Sequence, residues 1–116
     1  MNTLTTIRIY FEYGKTLKNV SFWKKLHAAD FASEILKRAK ANNLKQALQF
    51  NVSKGYLNQA NIHWGHTEVK QAKHPQIIEL TDTQERIEQF LNSEKALLED
   101  TMVVMVKNEI VMKSNL

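Results

Sequence analysis

Polar and apolar positions alternate strictly over residues 5–12, with Ile7, Ile9 and Phe11 on one side and Arg8, Tyr10 and Glu12 on the other. A two-residue period marks a strand with one buried face. Beyond Asp30 the period lengthens. Phe31, Ile35 and Ala39 recur every fourth residue, with Ala32 and Leu36 beside them, which predicts a helix capped by Asp30 and ended by Asn42-Asn43. Residues 47–53 alternate again, and their larger apolar side chains, Leu48, Phe50 and Val52, are expected to point inward. Pro75 opens a third strand over residues 76–80, a position where a missing N–H is tolerated. Asp82-Thr-Gln-Glu85 reads as a capping box, with Asp82 accepting from the first-turn amides. The helix it starts places Ile87, Phe90, Leu91 and Leu98 on one face and breaks at Glu99-Asp100. Residues 102–106 are apolar on both faces, as in a central strand or one buried at a subunit interface. Asn108-Glu109 then punctuates, and residues 110–112 are expected to pair as a short extension.

The order is βαββαβ. It predicts an α+β, ferredoxin-like fold, a four-stranded antiparallel sheet with both helices on one face. Two stretches lack a sustained period: a long first loop over residues 12–29, with a short helical turn near 22–26, and a polar loop over residues 57–74. Loops of that length inside a compact domain are usually functional or disordered.

At 116 residues the chain is read as one domain, 1–116. The absence of cysteine removes disulfides, thiolate zinc sites and a cysteine nucleophile. With three glycines in all, neither the P-loop nor the G-x-G-x-x-G phosphate cradle can be written. Ser21, Ser33, Ser53 and Ser93 lack the glycines of a nucleophile elbow, and Glu85, Glu88 and Glu94 read as a solvated helix face. The expectation is a protein without catalysis of its own. Nothing approaches the ~18 apolar residues of a membrane span, and residues 1–6 lack a basic n-region followed by an apolar core, so a cytoplasmic location is expected. Charge is uneven, with ten Lys+Arg against three Asp+Glu in residues 1–58 and six against nine in residues 59–116. A basic half fits an anionic partner or merely a soluble surface.

His63 and His66 stand at a spacing that places two imidazoles on one metal, with Glu68 close by. Against that stands the simpler reading of solvated loop histidines, and His27 is read as a packing or surface residue. Lys54-Gly55-Tyr56 opens like the RNA-recognition signature, but the run continues Leu57-Asn58-Gln59, so the stacking aromatics are missing and an RNA-binding module stays only a minor alternative.

Read end to end, the chain resembles the PII-like family termed domain of unknown function 190. The resemblance rests on Ile7-Arg8-Ile9-Tyr10-Phe11, on Gly55-Tyr56-Leu57 where the family tends to have Gly-Phe-Gly, on His63, and on the run from Pro75 through Thr83 into Ile87-Glu-Gln-Phe-Leu91. It covers about residues 5–111. It implies a ferredoxin-like homotrimer that, like PII signalling proteins, binds a small anionic effector in clefts between subunits and contacts a partner protein through loop 57–74, where Gly65-His-Thr-Glu68 looks like part of a PII loop. The candidate ligand residues are then Lys54, Gly55, Tyr56, His63, His66 and Lys107. The lysines would supply charge, the histidines hydrogen bonds, and Gly55 a close backbone approach. The cofactor stays open between a nucleotide and a divalent metal, the latter held by His63, His66 and Glu68. Three departures mark the chain: a longer first loop, Leu57 in place of a glycine, and no glycine over residues 94–101, where PII proteins have a phosphate-binding turn.

Overall fold

The computed structural model describes residues 3–15, 31–64 and 74–110, without the side chains of 108–110. The elements are β1 (Thr3–Glu12), α1 (Phe31–Ala41), β2 (Gln46–Asn51), β3 (Pro75–Asp82), α2 (Gln84–Ser93) and β4 (Met102–Ile110). They form one four-stranded antiparallel sheet in the order β2-β3-β1-β4. Each βαβ half therefore leaves a gap that a strand of the other half fills, the interleaving that defines the ferredoxin-like fold. The helical turn expected near 22–26, His27, the Asp30 cap and residues 65–73 of the long loop lie outside the described residues.

Alternation along β1 sorts the core. Ile7, Ile9 and Phe11 meet Ile78 and Leu80 of β3 beneath the helices. Onto that layer α1 lays Phe31, Ala32, Ile35 and Ala39, α2 lays Ile87 and Phe90, and Leu98 closes one end. Phe31 meets Phe11 edge-on at 4.8 Å between centroids, which fixes the start of α1 over β1. The helix ends as expected at the asparagines. Asn43 is left-handed (φ 58°), its amide donates to Lys40 O at 3.0 Å, and Leu44 N reaches back to Ala39 O at 3.1 Å. This paired closure is a Schellman motif with asparagine in the place glycine usually takes.

Five expectations need correcting. Leu48 and Phe50 do not point inward. Ala47 pairs with Leu80 and shares its face, so Leu48 and Phe50 stand on the opposite, open face, 42% and 40% exposed. Strand β4 is an edge strand, with Val103 and Met105 against the core and Met102 and Val104 on the open face. It runs unbroken through Asn108 and Glu109, accommodated by a register shift opposite Leu4 and Thr6. The N-cap of α2 is Thr83, whose hydroxyl accepts from Arg86 N at 3.3 Å, and the helix stops at Ser93, not near Leu98. Ser93 Oγ donates to Phe90 O at 3.0 Å, the local competition that makes serine a poor helix continuer.

Asp82 has a different task. Its carboxylate is buried and accepts from Lys45 N (2.8 Å) and Thr83 N (2.7 Å), with Arg86 Nε at 3.2 Å. Arg86 in turn donates to the carbonyls of Asn42 and Asn43, the open end of α1. One carboxylate thus ties the α1–β2 turn to the β3–α2 junction. On the far side of the helix layer, Arg38 joins Glu34 at 3.0 Å and Glu94 at 2.6 Å, and the hydrogen bond to Glu94, then that to Glu34, raises the guanidinium pKa. Asp82→Ala orphans two backbone donors and is expected to cost about 3 kcal/mol, roughly 10 °C in Tm for a chain of this size. Lys45→Ala keeps the amide donor and is expected to stay within about 0.5 kcal/mol of wild type, both measured by thermal circular dichroism.

Candidate ligand cleft at the β1–β4 end of the sheet

Beyond β2 the chain turns at Gly55, whose φ of +154° is reserved for glycine. A Cβ there would meet Val52 Cγ1 at an ordinary 3.7 Å, so backbone conformation and not space selects the residue. Gly55 and His63 exchange two backbone hydrogen bonds, each 2.8 Å, which closes residues 56–62 into a compact loop. At its tip Asn58 (φ 52°) and Gln59 (φ 58°) are both left-handed and Ala60 N donates to Leu57 O at 3.0 Å, a turn of the kind that prefers Asn-Gly. Behind it, buried His74 points Nε2 at Val52 O, 2.5 Å away. A carbonyl only accepts, so this nitrogen carries the proton. The His74 ring meets that of His63 edge-on at 6.1 Å.

The expected site residues divide accordingly. Lys54, Gly55, Tyr56 and His63 come together on this turn, with Lys54 and Tyr56 exposed and His63 half-buried. His66 and Glu68 lie outside the described residues. Lys107 is exposed at the opposite end of β4, about 17 Å from Met102 at the rise of an extended strand, and joins neither. Among the described residues no three His, Asp or Glu side chains cluster as metal ligands would.

What the pattern did not reveal is a half-open cleft of about 590 Å³ beside this turn. Its walls are Tyr10, Phe11 and Glu12 at the end of β1, Gly14 and Lys15 just after it, the turn residues Leu57 and Asn58, and Asp100, Thr101 and Met102 at the start of β4. That size suits a small organic ligand. Lys15 braces two of the walls, since its ammonium donates to Glu99 O at 3.1 Å and lies 5.3 Å over the Phe31 ring. Asp100 is left-handed (φ 66°), so the turn before β4 has the backbone form that glycine would favour although no glycine is there.

The cleft opens beside the sheet face opposite the helices, which no described element covers although Thr6 and Thr81 at its far end are buried, and where side chains line up across all four strands in rows. Met102, Tyr10, Ile77 and Phe50 form the row nearest the cleft, then Val104, Arg8, Glu79 and Leu48, then Val106, Thr6, Thr81 and Gln46. Arg8 and Glu79 pair at 3.0 Å in the middle, and the Thr6 and Thr81 hydroxyls meet at 2.9 Å. Beyond the turn, Tyr56, Ile62 and Trp64 are exposed.

These features define an α+β protein of the ferredoxin-like fold with a cleft of small-ligand size at one end of its sheet. The family model of domain of unknown function 190 (Uncharacterized ACR, COG1993) matches residues 4–110, and the chain belongs to that family. A PII-like protein from Thiomonas intermedia K12, CPII, described as a nitrogen regulatory protein bound to ADP, AMP and bicarbonate, shares the fold with a TM-score of 0.54 at 16% identity over 90% of this chain and 85% of its own. The periplasmic divalent cation tolerance protein CutA from Archaeoglobus fulgidus does so with a TM-score of 0.56 at 14% identity over 95% of this chain and 88% of its own. No curated protein matches the chain. Among the described residues no helix is long and apolar enough to cross a membrane.

The turn conformations are testable. Gly55→Ala is expected to cost about 1–2 kcal/mol and to speed amide exchange at His63. Gln59→Gly is expected to stabilise by about 0.5–1 kcal/mol by relieving a left-handed side-chain residue, and chemical denaturation measures both.

Proposed function

We propose that the protein is a non-enzymatic, PII-like regulatory protein that works as a homotrimer, holds a small effector in a cleft completed between subunits, and meets a partner protein through loop 57–74. The observation that carries this reading is the cleft itself. About 590 Å³ lies half-open at the margin of the sheet face opposite the helices, and Tyr10 and Met102 belong to both. A second copy packed on that face would cover Phe50, Leu48, Met102 and Val104 and wall in the cleft in one step. The cleft and the turn share residues Leu57 and Asn58, which gives a bound ligand a route to the exposed aromatic side chains Tyr56 and Trp64. Aromatic residues of this kind are the usual anchors of protein interfaces. The ADP, AMP and bicarbonate carried by CPII make these the first ligands to try. A divalent-metal reading rests on His63, His66 and Glu68, the last two outside the described residues, and draws no support from the described side chains.

Native mass spectrometry with AMP and ADP tests the proposal. The expected result is a particle of three chains that takes up three ligands. A Phe50→Asp/Met102→Asp variant, altered only at side chains exposed in the protomer, is expected to give folded monomers with affinity reduced at least about tenfold. A wild-type monomer that binds none of these ligands would refute the reading.

A further inference from the structure

Lys15 is half-buried in the wall of the cleft just beyond β1, and its head group is pinned there. The ammonium donates to Glu99 O at 3.1 Å and lies 5.3 Å over the Phe31 ring, so among the described residues both of its partners are neutral. A carbonyl dipole and a ring face hold a cation in place without cancelling its charge. An ammonium also carries three N–H donors, of which Glu99 O takes one. Lys15 can therefore accept an incoming anion and keep its brace. Lysine ordinarily loses much rotamer freedom when it grips a ligand, but a head group already fixed at Glu99 and Phe31 has lost most of it before the ligand arrives. Glu12 and Asp100, the latter with a partner of its own, line the same cleft. The described lining is thus mixed in sign, and an anion gains there by reaching the Lys15 ammonium itself. Tyr10, Leu57 and Met102 supply apolar surface for the rest of the molecule. Groups brought by a second subunit would join this contact and not replace it, because Lys15 is tied to Glu99 and Phe31 of its own protomer.

We infer that Lys15 is the specificity-determining residue of the cleft, selecting a small molecule with an anionic oxygen that joins Glu99 O on its ammonium. The inference rests on the ligand-binding reading above and adds the charge of the ligand and the residue that reads it.

Titration calorimetry of the protein with AMP, ADP, bicarbonate and neutral adenosine decides it. AMP is expected to bind at least about tenfold more tightly than adenosine. Lys15→Met should weaken AMP at least about tenfold while changing adenosine less than about threefold. Methionine keeps an apolar stem against Phe31, and Lys15→Gln, which keeps a donor for Glu99 O, serves if the first variant does not fold. Lys15→Arg retains the charge and should bind AMP to within about fivefold of the wild type. Equal losses for AMP and adenosine would show that Lys15 only holds the wall. That result would overturn the inference and leave the ligand-binding reading intact, as would AMP binding that the substitutions do not change, or adenosine binding more tightly than AMP. If ADP or bicarbonate binds in place of AMP, the same variants must weaken it at least about tenfold, and unchanged binding overturns the inference. Failure of all three anions to bind overturns it as well; adenosine uptake alone would then keep the broader reading, and no binding by any of the four would refute both.

Discussion

Strand β1 is the constraint on which everything else hangs. It lies between β3 and β4 and is hydrogen-bonded on both sides over most of its length. Its strict alternation therefore decides two surfaces at once. Ile7, Ile9 and Phe11 call for the helix layer that covers them, while Arg8 and Tyr10 define an opposite face that no element of the described chain covers. Its last residues, Tyr10 to Glu12, and Gly14 and Lys15 just beyond it form one wall of the cleft. A register slip of one residue would exchange Ile9 for Tyr10 in the core and remove core, open face and cleft together.

The open face explains why such a small sheet is so apolar on its solvent side. Monomeric proteins rarely leave Leu, Phe, Met and Val side by side unless something covers them. Here these residues sit in cross-strand register around one ion pair, Arg8 with Glu79, which is only partly exposed. A pair in that position contributes little in water. Under a covering subunit its geometry would help fix how the copies align, since a misplaced partner would bury one charge without the other.

Much of the fold was legible because local and global signals agree. The β1 alternation, the fourfold spacing in α1, its asparagine stop and Pro75 at the start of β3 all appear where the sequence pattern puts them. The misreadings of β2 and β4 share one physical cause. Alternation tells which residues share a face but not which face is the core, and the open face imitates a core. The pattern therefore places Leu48 and Phe50 inward although small Ala47 holds the inner position, and of the two readings of apolar residues 102–106, a central strand or one buried at a subunit interface, the first fails because they form an edge. Asp82 looked like a cap because Asp before Thr-x-x is ambiguous, and only the arrival of Lys45 N from a distant turn settles its role. Of the candidate site, Gly55 at the end of β2 was legible in the sequence, but its pairing with His63 was not. Nor was the cleft, because it joins residues 10–12, 14–15, 57–58 and 100–102, which no local motif connects.

The central claim is that the open face is covered in solution. Hydroxyl-radical footprinting read by mass spectrometry tests it on the protein's own side chains, because Met102, Phe50, Tyr56 and Trp64 are all at least 40% exposed in a single protomer. The account predicts that Trp64 and Tyr56 are oxidised at the rates of accessible aromatics while Met102 and Phe50 are protected, and that dilution abolishes the difference. Fast oxidation of Met102 and Phe50 at concentrations where Trp64 is also labelled would show an uncovered face and contradict it.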